Sequence, residues 1–246
     1  MCIRDSIHIL YGKPGTLKSW LALSSLRHAD VRLWDFENGA HATRDRLEKL
    51  DIPREFCNGY SVPQSKEEIY SRVQEYVETA PDLVVIDGFS GLAEMLEINP
   101  ESNNEVMTIF NRVLFPLRSA GISVLLLDHL PKDAASEDFP IGAQAKKSQS
   151  DVALLVKQKS GSEIMDIYVA KDRFGQLSRR CEDGANPRKF GKVELKNSDG
   201  HFEVLAKPSY QAEIAGFEVS TYDANQMQDI WLSLIHISEP TRLLSI

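Results

Sequence analysis

The sequence predicts an α/β domain with a mostly parallel central sheet, flanked by helices and carrying antiparallel strands at its C-terminal edge. Three observations lead there. From residue 7 to about residue 127, short apolar runs alternate with amphipathic segments, the spacing of strand–helix–strand units in a parallel sheet. One run, D-L-V-V-I-D at 82–87, is almost wholly apolar, as a strand covered on both faces must be. After residue 150 the pattern becomes strands joined by turns, at 151–157, 163–170, 192–196 and 201–205, the last two around N-S-D-G. Such runs add antiparallel to a sheet edge.

Each element follows from its pattern. The stretch 7–23, I-H-I-L-Y-G-K-P-G-T-L-K-S-W-L-A-L, reads as a strand, a Gly/Pro/Lys/Ser loop and a helix start. Trp20, Leu21, Leu23 and Leu26 lie at helical spacing over 19–28, and 31–36 is a short apolar strand ending in D-F-E-N-G. A charged helix is expected over 41–50, a possible strand over 58–62, a helix over 66–79, a helix from about 104 to 119 and a strand over 122–127. The polar stretch 131–150 has no periodicity, and its length suits either a functional loop or disorder.

The two ends are read differently. Codons exist for which M-C-I-R-D-S (1–6) and L-S-L-I-H-I (232–237) are reverse complements, so the pair resembles a transposon-end sequencing adapter translated on both strands. Residues 1–6 and 232–246 are therefore expected to be adapter scars. The natural fragment is then 7–231, truncated at both ends, with one domain over 7–207 and a truncated C-terminal extension over 208–231.

Composition sets limits. The formal net charge is −8, which argues against a broad basic nucleic-acid face and leaves room only for a local patch. One such stretch exists, 171–192, with Lys171, Arg173, Arg179, Arg180, Arg188, Lys189 and Lys192 against Asp172, Glu182 and Asp183. Outside the scars the cysteines are Cys57 and Cys181, far apart and without partners at metal spacing. A reduced, cytoplasmic setting is expected. No apolar run approaches the roughly 20 residues of a membrane span.

The chemistry begins in the first loop. Gly12, Lys13, Pro14, Gly15, Thr16, Leu17, Lys18 and Ser19 approximate G-x-x-x-x-G-K-[ST], in which backbone N–H groups cradle phosphates, the lysine reaches the β and γ phosphates and the hydroxyl ligates Mg²⁺. Leu17 stands where a glycine is usual; it is harmless at helical φ and costs about 1–3 kcal/mol at positive φ. Asp87, ending the buried run, is placed to hold Mg²⁺. Asp35 and Glu37 both end the neighbouring strand, and Glu37, nearer the carboxyl end, is preferred as the base that activates water. His129, with Asp128 as a weaker alternative, ends the next strand and is placed to sense the γ-phosphate. Lys171 and Arg173 in V-A-K-D-R-F-G are either a solvated edge or cations that reach a neighbouring subunit's nucleotide.

These motifs, in this order over nearly all of 7–174, resemble the RecA-like P-loop ATPases, and most the plasmid- and phage-borne RepA family of hexameric replicative helicases, relatives of DnaB. The resemblance implies ATP and Mg²⁺ as cofactors. It assigns Lys18 and Ser19 to the phosphate loop, Glu37 to catalysis, Asp87 to the metal, His129 to sensing, and Lys171 and Arg173 to action across a subunit interface. It further implies a homo-hexameric ring with single-stranded DNA in its channel, lined by the loops after Asp87 and His129. The first loop carries no Lys or Arg; the second offers Lys132, Lys146 and Lys147. Two other readings stay open, a RecA-like recombination or annealing protein and a nucleotide-switched regulator.

Overall fold

The computed structural model describes residues 5–27, 30–53, 58–130, 144–158, 161–175, 177–181, 187–198 and 201–208. Lys132, Cys57, residues 209–231 of the expected extension, and the expected terminal scars except residues 5 and 6 lie outside them.

Among the described residues, nine strands form one sheet in the order β3-β2-β4-β5-β1-β6-β7-β8-β9. They are β1 (Ile7–Gly12), β2 (Val31–Asp35), β3 (Tyr60–Ser61), β4 (Leu83–Asp87), β5 (Ser123–His129), β6 (Val152–Gln158), β7 (Ile164–Asp172), β8 (Arg188–Ser198) and β9 (His201–Pro208). From β3 to β6 every pairing is parallel, and from β6 onward every pairing is antiparallel.

The predicted two-sided burial is present. In β4, Leu83 and Val85 face one core while Val84 and Ile86 face the other; in β5, Leu125 and Leu127 are divided from Val124 and Leu126 in the same way. Side chains alternate across a strand, so a sheet sandwiched between helices needs apolar residues at both parities. The first core is closed by helices α1 (Lys18–Ser24) and α2 (Ala40–Lys49), the second by α3 (Lys66–Thr79), α4 (Phe89–Met95), α5 (Asn103–Ile109) and α6 (Phe115–Ser119). In antiparallel β7 only Met165, Ile167 and Val169 are buried, the alternation of a strand with one covered face.

Two expectations change. The helix over 104–119 is broken, with a π-helical turn, Phe110–Leu114, between α5 and α6. Pro116 has no N–H to give the Arg112 carbonyl, and the Phe115 N–H bonds back to Phe110 instead, the wider spacing of a π turn. Within 131–150 a short helix, α7 (Gln144–Gln149), forms against α5, where the Ala145 N–H donates to Asn103 Oδ1 at 2.9 Å. Six residues hold too few turns for a period to be read from sequence. Among the described residues no helix is long and apolar enough to cross a membrane.

Chain order places the site. β2 lies three positions from β1, with β4 and β5 inserted between them, so the carboxyl ends of β1, β5, β4 and β2 open side by side. In open α/β sheets, ligands bind at such an edge.

Candidate functional site

The first loop leaves β1 at Gly12, which must be glycine because a Cβ there would lie 2.5 Å from the Val156 carbonyl oxygen of β6. Gly15 has φ +78° and Leu17 φ +58°. Leu17 therefore occupies the left-handed conformation that glycine usually fills, at a cost of about 1–2 kcal/mol, while its side chain packs partly against the first core. Lys18 is buried, and its Nζ donates to the carbonyls of Gly12 (3.2 Å) and Lys13 (3.1 Å) and to Thr16 Oγ1 (3.2 Å). Burial lowers the Lys18 pKa, against the pull of the carboxylates of Glu37, Asp87 and Asp128.

Asp87, the last residue of β4, accepts hydrogen bonds from the Ser19 hydroxyl and from Asn38 Nδ2 at 2.8 Å. Burial pushes its carboxyl up to about 6; the Ser19 bond and Arg46 oppose the rise, and the charges of Glu37 and Asp35 add to it. A hydroxyl and a buried, anionic carboxylate side by side are the hard oxygen donors that Mg²⁺ prefers, so these two residues fit that ion. The sign of the pH effect follows. The folded state keeps a proton on Asp87 that the unfolded chain has lost between pH 3.8 and about 6. Stability from this group is thus present below that window and lost as pH rises through it, by about 3 kcal/mol at neutrality. We predict that Asp87→Asn raises the Tm of the nucleotide-free protein at pH 7 and that the gain vanishes near pH 4. A lower Tm at pH 7 would show that the ionised group is needed by the fold.

Strand β2 ends at Asp35, and residues 36–38 bend away, so Glu37 leaves the strand and its direction separates from that of Asp35. The Glu37 carboxylate reaches across to β5, where Oε1 lies 2.7 Å from His129 Nε2. The His129 hydrogen bond holds the Glu37 pKa below the usual carboxylate range, with the charges of His129 and Lys18 assisting against burial. His129 Nδ1 is buried with no partner among the described residues. Glu37, His129, Asp87, Ser19 and Lys18 thus converge on one edge of the sheet.

Other expected residues lie elsewhere. Asp35 is buried and accepts only from its surroundings (Glu37 N, Asn38 N, Thr43 Oγ1 and Tyr60 OH). Asp128 is not beside His129 in function: it turns into the protein and pairs with Lys146 Nζ at 2.8 Å, both side chains almost wholly buried. Burial raises the Asp128 pKa, which the Lys146 ammonium and the His129 N–H counter. Lys146 also lies 4.2 Å from the centre of the Phe89 ring. The expectation that Lys146 lines a DNA channel is corrected, since an ammonium buried in an ion pair offers nothing to a phosphate. Lys147 is half-buried, and Lys132 lies outside the described residues. The loop expected after Asp87 is helix α4 for its first turns, with Phe89, Leu92 and Ala93 in the core.

Lys171 and Arg173 lie at the opposite edge. Lys171 pairs with Ala153 and Asp172 with Val152, which is level with His8 near the start of β1, whereas Gly12 is level with Val156. A strand rises about 3.3 Å per residue, so these cations stand on the order of 15 Å from their own phosphate loop along the sheet. Lys171 Nζ donates to the carbonyls of Lys147 (2.7 Å), Ser148 (2.7 Å) and Ser150 (2.6 Å), closing the C-terminus of α7. Its pKa is lowered by burial and by Arg173. Arg173 pairs with the buried carboxylate of Asp151 at 2.8 Å and leaves about two-fifths of its side chain exposed.

Asn38, which ties the Glu37 turn to Asp87, and Arg46, whose charge acts on Asp87 and whose Nη1 is buried without a partner among the described residues, were not foreseen. A polar residue one step beyond an acidic strand end was the available signal for Asn38.

A glycine-bearing loop at a sheet edge, with a buried lysine, a hydroxyl beside a carboxylate and a second carboxylate across the cleft, defines the phosphate-binding class of α/β domains. A family model described as "AAA domain" (AAA_25) matches residues 1–135, more than half of the chain, and the protein belongs to that family. The crystal structure of the RadB recombinase is similar in fold, with a TM-score of 0.57 at 16% identity, over 79% of this chain and 89% of that one. The fold is that of the RecA-like P-loop ATPases. No curated protein matches the sequence.

Proposed function

We propose that this protein is an ATP-hydrolysing RecA-like motor that assembles as a hexameric ring on single-stranded DNA, in the manner of plasmid and phage replicative helicases. The observation that carries the ATPase part is the meeting of Lys18, Ser19–Asp87 and Glu37–His129 at one sheet edge. The loop amides and Lys18 bind the phosphates, Lys18 leaving its carbonyl partners for them. Ser19 and Asp87 would hold Mg²⁺, which supplies charge neutralisation on the phosphates. Glu37, released by His129 once the γ-phosphate is bound, orients the attacking water and draws its proton. His129 exchanges its bond to Glu37 for one to the γ-phosphate and so reports the phosphate's presence. The ring reading draws support from Lys171 and Arg173, which stand too far from their own loop to serve it, and from the exposed part of the Arg173 side chain at the other edge.

A second reading is favoured by the RadB likeness: a recombination protein that coats DNA as a filament. Both need DNA-responsive turnover, and they differ in the particle formed. The test is the ATPase rate with and without single-stranded DNA, beside Lys18→Ala, with the assemblies imaged by electron microscopy. Stimulation by DNA in closed six-fold rings supports the motor, and open filaments support the recombinase. Turnover indifferent to DNA would reject both and leave a nucleotide-switched regulator. Lys18→Ala removes the charge at the phosphates and is expected to lower kcat/KM by about 10²–10³. An unchanged value would remove the phosphate loop from the mechanism.

A further inference from the structure

We propose that Asp35 is a positioning residue: a buried carboxylate that fixes the turn carrying Glu37 and is itself fixed by Thr43 and Tyr60. The inference rests on the reading of Glu37 as the group that activates water.

Asp35 ends β2, and 1% of it is exposed. Its Oδ1 accepts the N–H groups of Glu37 (3.1 Å) and Asn38 (2.8 Å), and its Oδ2 accepts the hydroxyls of Thr43 (2.7 Å) and Tyr60 (3.0 Å). A carboxylate offers about four acceptor sites, and here four donors take them. Nothing remains for a metal ion or a water. One oxygen therefore grips the turn, and the other is anchored to helix α2 and strand β3.

The consequences reach the cleft. With both amides held, Glu37 has a fixed origin from which its carboxylate spans to His129, and its Oε2 lies where a Cβ on Gly88 would approach it to 3.0 Å. Asn38, held by the same oxygen, turns its amide to Asp87. A single buried side chain thus sets the relation between the two carboxylates that face the nucleotide. Tyr60 is suited to the task. Burial, with the Asp35 charge and bond adding, pushes its pKa to about 12, so the hydroxyl stays a donor throughout the working pH range. Thr43 is buried as well, and its hydroxyl finds in Asp35 the partner a buried polar group requires.

The geometry of a near-attack complex is steep: a displacement of about 1 Å costs about 10²-fold in rate. Thr43→Val and Tyr60→Phe each remove one anchoring hydroxyl with little change of shape. Both are expected to lower kcat by about 10–10²-fold with the KM for ATP unchanged, and Thr43→Ser is expected to restore it. In the nucleotide-free protein, amide exchange at Glu37 and Asn38 should quicken in Thr43→Val and Tyr60→Phe but not in Thr43→Ser. Asp35→Asn should show the strongest form of both effects. Unchanged kcat and exchange in Thr43→Val and Tyr60→Phe would overturn the proposal. So would a parallel loss of ATP affinity, or variants that fail to fold, since the cluster would then serve only the fold. Glu37→Gln in the same series keeps the two readings apart. If it turns over normally, the role given to Glu37 fails, while the exchange data still report whether Asp35 fixes the turn.

Discussion

Arg173→Ala is expected to lower ATP turnover by about 10³–10⁵-fold, the range for a cation that stabilises phosphoryl transfer from across an interface, with nucleotide affinity retained. Arg173 has its own work within the chain, an ion pair to a carboxylate that also accepts the Ile7 N–H at 2.9 Å. Loss of activity alone would therefore not distinguish a role across the interface from a damaged fold. Mixing does. Combined with Glu37→Gln chains, the variant contributes an intact Glu37, and its partner contributes an intact Arg173. In a random equimolar mixture about one junction in four carries both groups. Turnover should return to a corresponding share of the wild-type rate. A mixture as inert as its parts would confine Arg173 to its bond with Asp151.

Glu37→Gln is the second large effect. The amide keeps the size of the side chain and a contact to His129, but it has no basic oxygen to take a proton, and a fall of about 10²–10⁴-fold in kcat is expected. ATP should still bind, because Lys18 and the loop are untouched; removing a carboxylate near Lys18 favours tighter retention of the anionic nucleotide. Single-turnover hydrolysis and equilibrium binding of ATP check the two halves. Normal hydrolysis would pass the base role to another group, and Asp35, with four donors already on it, is not available.

Much of this was legible because it depends on pattern. Parallel strands betray themselves by apolar residues at both parities, as in L-V-V-I before Asp87, and a phosphate loop by Gly12, Lys18 and Ser19 at fixed spacing. What escaped depends on direction. Glu37 is preferred over Asp35 by its place nearer the carboxyl end, but the four donors that hold Asp35 inside are not readable from it, and Asp128 and His129 are adjacent in sequence but turn to opposite sides. Lys146 was misread for the same reason. Its neighbours are polar and the helix that holds it is short, so nothing in the sequence marks the buried carboxylate of Asp128 waiting across a stretch of 17 intervening residues. Leu17 carries a different lesson, since a residue that argues against a glycine-like backbone adopts one, with part of the cost offset by packing.

The separation of Lys171 and Arg173 from Lys18, at opposite edges of one sheet, makes each copy of the proposed motor a polar building block with a socket on one side and a plug on the other. Two such blocks related by a two-fold axis would set socket against socket or plug against plug, and no site would be completed. Only head-to-tail growth joins them, and such growth either closes or continues as a helix. An open row leaves one socket unfilled however long it becomes, whereas a closed ring leaves none. Turnover per chain should therefore rise with assembly size and become independent of it only on closure.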